Sequence, residues 1–173
     1  VGNGSTGQTT ETRVGGIQLI AVDFDSPVTL VDPGAIVVLG WTTTNGAIGD
    51  PVAYAPQSVS MLDADTMLIA FPSAPAPGAL PDQTCYRIVI NSGALSEPLF
   101  GDDDVYVRAL VGDTTSNGVV NLGDALFTKE RISQPALGNP EHDIDTSGGA
   151  VALQDVLAIK SLVASPARMA LCP

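Results

Sequence analysis

Between residues 17 and 111 the chain alternates short apolar and polar runs. Residues 17–24 and 35–41 are rich in β-branched and aromatic side chains, 58–61 and 66–71 alternate, and 85–90 and 105–111 complete the series. A period of two is that of a strand with one buried face. Turn formers separate the runs: Asp32-Pro33-Gly34, Asn45-Gly46, Asp50-Pro51, Asp63-Ala64-Asp65 and Pro75-Ala76-Pro77-Gly78. Roughly six or seven short strands punctuated this way predict a β-sandwich over residues 17–111.

The rhythm changes after residue 111. Leu122, Ala125, Leu126 and residues 129–132 follow an i, i+3, i+4 spacing, as do Leu153, Val156, Leu157, Lys160 and Val163. Both stretches are predicted helices. They are expected to pack on each other through Leu126, Phe127, Leu157 and Ile159. Residues 1–16 are rich in Gly, Ser, Thr and Gln and read as a flexible linker. The expected division is therefore a linker over 1–16, a sandwich over 17–111 and a helical module over 112–173.

Each helix follows a loop with oxygen-bearing residues at every second position. Asp113, Thr115 and Asn117 precede Gly118, with Asp124 six residues on; Asp143, Asp145 and Ser147 precede Gly148 and Gly149, with Asp155 beyond. Oxygens at positions 1, 3 and 5, a Gly at 6, a backbone carbonyl at 7 and a carboxylate at 12 are how a short loop wraps Ca²⁺, a hard cation that takes six to eight oxygens. In the first loop the position-7 carbonyl is that of Val119, and Asn121 at position 9 acts through a water. The second loop is one residue longer. One glycine reads as an insertion, so the carbonyl falls at Ala150, and Ala152 at position 9 has no side-chain oxygen. Asp113 and Asp124 give the first loop two formal negative charges; Asp143, Asp145 and Asp155 give the second three. Two Ca²⁺ ions are expected. The plainer reading is a pair of Asp- and Gly-rich turns capping helices; the duplication at one offset favours the ion sites.

No helix is predicted before either loop. Residues 104–110 alternate as a strand, and 134–140 are interrupted by Pro135 and Pro140. Position 12 is Asp where an EF-hand has Glu. A loop followed by a helix, twice, resembles the type I dockerin, on Asp113, Asn117, Gly118, Asn121, Asp124, Leu126 and Lys129, then Asp143, Asp145, Gly149, Asp155, Leu157 and Lys160. The resemblance implies folding around two calcium ions and docking onto a cohesin. The family's recognition positions correspond to Leu122, Gly123, Lys129 and Glu130, and to Leu153, Gln154, Lys160 and Ser161. The preceding region resembles bacterial Ig-like modules of the SbsA type, on residues 65–71 and the return segment from Ala79-Leu80-Pro81-Asp82 to Tyr86. That pairing implies a large secreted or surface protein.

The 173 residues carry 7 basic and 19 acidic side chains, a net charge of −12, which argues against nucleic acid or anionic membrane as a partner. No apolar run reaches the ~18 residues of a membrane span. The chain has no signal-peptide pattern and opens on Val1, so a mature or excised fragment is expected. Cys85 and Cys172 either form a disulfide, as a secreted context favours, or remain two thiols.

Catalysis finds little support. The single histidine, His142, lies between Glu141 and Asp143 and reads as a loop residue beside an ion site. Asp63/Asp65 and Asp102-Asp103-Asp104 read as turn residues and a solvated acidic run. Trp41, Tyr54, Tyr86 and Tyr106 read as core. The expected function is a non-catalytic, secreted or cell-surface module, calcium-stabilised, serving structural support or a protein partner, either cohesin-like or within its own chain. The alternatives are a true cohesin-binding dockerin and a carbohydrate-binding module that stacks sugars on Trp41.

Overall fold

The computed structural model describes residues 9–73, 76–99, 103–163 and 167–173. The acidic-run residue Asp102, the turn residue Pro75 and the first eight residues of the expected linker lie outside them.

Two sheets face each other. The larger contains β1 (Thr9–Glu11), β3 (Ile36–Thr44), β4 (Ala47–Ile48), β5 (Val52–Tyr54), β8 (Thr84–Ile90) and β9 (Asp104–Ala109). Its order is β1-β9-β8-β3-β4, with β5 also on β3. The smaller sheet is β2 (Leu19–Asp23), β7 (Thr66–Ala70) and β6 (Ser58–Met61), in the order β2-β7-β6. All pairings are antiparallel except β1 with β9.

The alternation read from the sequence is what fills the space between the sheets. Ile20, Val22, Met67 and Ile69 from one side meet Ile36, Val38, Tyr86, Ile88 and Ile90 from the other, all buried. Tyr86 is wholly enclosed, donates its hydroxyl to the Pro81 carbonyl at 2.6 Å, and stacks edge-on against Tyr54 at 5.5 Å. These rings close over Gly40: a Cβ there would lie 2.7 Å from Tyr54 and 2.8 Å from Tyr86. Tyr54 and Tyr86 are thus core residues, as expected. Trp41 and Tyr106 are half-buried neighbours, with ring centroids 6.5 Å apart.

Three strands escaped the sequence pattern. β4 and β5 have two and three residues, too few for a period to register. β1 falls inside the stretch expected to be a linker. It pairs with β9 from Thr9↔Val107 to Glu11↔Ala109. Its residues and the next one, Thr12, are polar, yet Thr10 and Thr12 are buried, because each hydroxyl has a partner in the C-terminal region.

That region contains α1 (Leu122–Lys129) and α2 (Leu153–Leu162), which pack together. A second core forms from Leu110, Val120, Ala125, Ile144, Val156, Ile159 and Ala170. Ile159 is buried as expected. Leu126 and Leu157 are not: they are 61% and 51% exposed. Phe127 is half-buried, edge-on to His142 at 4.9 Å. The reason lies in the loops. Asp124 and Asp155 are fully buried and set the phase of their helices. A residue two positions away lies about 200° around the helix. Leu122 and Leu126 flank Asp124 at that offset, and Leu153 and Leu157 flank Asp155, so all four leucines face outward.

Cys85 and Cys172 form a disulfide across 87 residues. No helix among the described residues is long and apolar enough to cross a membrane.

Candidate metal centre

The loop following α1 brings Asp143 and Asp145 to the first turn of α2. One carboxylate oxygen from each of Asp143, Asp145 and Asp155 lies within 4.8 Å of the others. Asp143 and Asp155 are buried and Asp145 is exposed. Backbone amides orient the group. Asp143 accepts from Gly148 N at 3.1 Å and from Ser147 Oγ at 3.4 Å. Asp155 accepts from Ala152 N at 2.8 Å and Asp145 N at 3.3 Å. Asp145 accepts from Ser147 N at 3.0 Å. Hydrogen bonding from Ser147 holds the Asp145 carboxyl below its usual range. Gly148 and Gly149 both have positive φ, 71° and 75°, so the extra residue is taken up as a left-handed pair.

The first loop follows the same plan with two carboxylates. Asp113 and Asp124 are fully buried. Asp113 accepts from Gly118 N at 2.9 Å, Asn117 N at 3.0 Å and Thr10 Oγ1 at 3.3 Å. Asp124 accepts from Thr115 through both its amide, at 3.0 Å, and its hydroxyl, at 2.8 Å, and from Asn121 N at 2.9 Å. Asn117 Oδ1 accepts from Val119 N at 2.9 Å, and Asn121 Oδ1 caps α1 through Gly123 N at 2.6 Å. Burial pushes the Asp113 carboxyl up to about 6; the amides of Gly118 and Asn117 oppose this, and the charge of Asp124 adds to it. Ser116 and Thr146 occupy equivalent places and share a left-handed φ, 55° and 59°. Gly118 has φ 83°.

Both loops meet an extended segment at the residue expected to offer its carbonyl. Val119 bridges to Met169, and Ala150 bridges to Pro135. The flanking bonds correspond. Val120 N donates to Arg168 O and Ala170 N to Gly118 O; Val151 N donates to Gln134 O and Ala136 N to Gly149 O.

None of the ion pairs among the described residues involves Asp113, Asp124, Asp143, Asp145 or Asp155. Buried carboxylates without a cationic partner are costly unless a cation joins them. The donors are all oxygens, which suits Ca²⁺ or Mg²⁺ and not a thiolate or imidazole metal. The second cluster therefore fits a hard divalent ion. His142 is fully buried and takes no part in it: its Nδ1 lies 2.9 Å from Thr128 Oγ1, and burial lowers its pKa.

Sequence reasoning missed the threonines that support the loops. Thr10 reaches Asp113, Thr12 donates to the Glu141 carbonyl at 2.7 Å, and Thr114 donates to the Asp124 carbonyl at 3.1 Å. It also missed residues 168–170, whose role depends on a pairing that no local pattern encodes.

No family model and no curated protein matches the chain. Fold and site together define a class: a two-sheet β region followed by a small pair of packed helices with a buried acidic cluster able to hold a metal ion. The disulfide is consistent with an extracellular location.

Proposed function

We propose that the chain is a non-catalytic extracellular module whose C-terminal repeat pair is organised by two Ca²⁺ ions. The observation that carries this reading is the convergence of Asp143, Asp145 and Asp155. Asp143, Asp145, Ser147, Asp155 and the Ala150 carbonyl would hold one ion. Asp113, Thr115, Asn117, Asp124, the Val119 carbonyl and, through water, Asn121 would hold the other. The ion supplies positive charge to carboxylates that otherwise repel. The protein's own part is to fix their positions through the amides of residues 117–118, 147–148 and 152. Two short helices bury little surface of their own, so ion binding and ordering of this region are coupled.

A docking role is the second reading, favoured by the four outward leucines at equivalent places on α1 and α2. A cohesin-like partner would cover Leu122, Leu126, Leu153 and Leu157. Sugar binding at Trp41 has weaker support, since that ring is half-buried beside Tyr106.

Isothermal calorimetry of the metal-free chain with CaCl₂ tests the proposal. The expected result is two ions per chain, with a melting temperature that falls on adding EDTA. No heat of binding together with an unchanged melt in EDTA would refute it.

A further inference from the structure

The two loops are fastened in different ways. The segment beside the second loop, residues 134–136, is part of the short connection between the loops. The one beside the first loop, residues 168–170, belongs to the C-terminal tail. That tail is anchored on the β-sandwich at three points. Arg168 pairs with Asp82, Leu171 N donates to Thr43 Oγ1 at 2.9 Å, and Cys172 is bonded to Cys85 of β8. The covalent anchor is one residue from Leu171 and two from Ala170, whose amide holds the Gly118 carbonyl.

We infer that the Cys85–Cys172 disulfide presets the first loop for its cation, so that reduction weakens the first site and spares the second. This rests on the calcium reading above. With the disulfide closed, the tail stays registered against Gly118 and Val120, on either side of the Val119 carbonyl. Reduction takes two electrons and two protons from a dithiol such as dithiothreitol, which leaves as its cyclic disulfide. Cys172 is partly exposed and open to attack, and both cysteines end as thiols. The tail then retains only the Arg168 and Leu171 anchors, and the strap that frames the position-7 carbonyl is free to fray. The second loop's strap involves no cysteine and is an internal control. Cys85, Cys172 and Arg168 are positioning residues for the first site.

Loss of a supporting outer-shell partner lowers metal affinity about 10–100-fold, and the same factor is expected here for one site of two. Coupling is reciprocal, so saturating calcium makes the disulfide harder to reduce, by about 30 mV for each tenfold.

The experiment compares the oxidised chain, the dithiothreitol-reduced chain and Cys85→Ser/Cys172→Ser by CaCl₂ calorimetry. In parallel, amide hydrogen exchange is followed without metal. The expected result is one site at least tenfold weaker and one unchanged, with faster exchange at Val120 and Ala170 but not at Val151 and Ala136. Equal affinities before and after reduction overturn the inference, and so does equal weakening of both sites. Should the serine variant fail to fold, Arg168→Met keeps the disulfide and removes one anchor, and the first site alone must weaken. If the oxidised chain takes up no calcium, the calcium reading fails by itself. The metal-free exchange then still decides whether the disulfide holds the strap, since unchanged exchange at Val120 and Ala170 overturns that claim.

Discussion

Replacing Asp155 with Asn separates the ion's contribution from that of the protein scaffold. The carboxylate accepts two backbone amides, from Ala152 and Asp145, and an amide group can accept only one of them. Losing a hydrogen bond to a charged group costs about 1.5–3 kcal/mol. The same change removes a charge within 4.8 Å of those on Asp143 and Asp145. At that distance one pair of like charges repels by about 1 kcal/mol in water and about 3–4 kcal/mol at an effective dielectric constant of 20. Asp145 is exposed and sits near the lower figure. Over the two pairs the relief of repulsion comes to about 4–5 kcal/mol, which exceeds the lost hydrogen bond by about 1–3.5 kcal/mol, so the metal-free variant should melt at or above wild type. With calcium the balance is different. Each site filled at a concentration 100-fold above its dissociation constant contributes about 2.7 kcal/mol. For a chain of this size that raises the melting temperature by about 5–11 °C per site. Wild type should show the rise of two sites and Asp155→Asn that of one. Differential scanning calorimetry with CaCl₂ and with EDTA reads both quantities. An equal calcium-induced rise in the two proteins would refute the assignment of Asp155, whatever the metal-free melts show.

The packing invites further tests. Gly40→Ala places a methyl 2.7–2.8 Å from two rings that are packed against each other, and overpacking of this kind costs about 1–3 kcal/mol, read by urea denaturation. A stability equal to wild type would mean that Tyr54 and Tyr86 can part without cost. Ile159→Ala should destabilise by about 2–5 kcal/mol in the presence of calcium, whereas Leu157→Ala should stay within about 0.5 kcal/mol. The reverse order in thermal melts would show that the helix faces are exchanged.

The sandwich was readable because its strands are rich in β-branched and aromatic residues and are separated by turns bearing Asp, Asn, Gly and Pro; burial alternates within residues 66–70 and 86–90. The second loop was readable because a cradle of oxygens able to hold a cation needs a fixed spacing. Asp143, Asp145 and Asp155 meet as that spacing implies. What could not be read was the orientation of each helix. Leu126 and Ala125 both satisfy a helical period, and hydropathy favours Leu126 as the buried one. The buried loop aspartates decide otherwise, by turning Ala125 and Val156 inward and the leucines out. β1 was hidden for a related reason. Thr10 and Thr12 are buried through their hydroxyls, so a composition that reads as solvated linker becomes an edge strand once partners exist at Asp113 and Glu141.

Those partners lie across the boundary expected at residue 112. Leu110, at the end of the last sandwich strand, belongs to the second core and not the first. Its amide is bonded to Glu11 O, and that of Gly112 to Thr12 O, so the chain enters the first loop while still paired with the N-terminal strand. Val14 N reaches Ile144 O in the second loop at 2.9 Å. The C-terminal tail returns from the other side to Thr43, Asp82 and Cys85. The N-terminal strand and the C-terminal tail therefore both link sheet to loops, and the small helical region is held between them. A two-helix unit this short is marginal in water if it stands alone. Anchorage to the sandwich supplies part of the order that the helices lack, and a cation bound by the loop carboxylates would supply the rest. The acidic loops and the outward leucines can then be presented on a rigid support, which is the physical requirement for a structural or docking role at a surface.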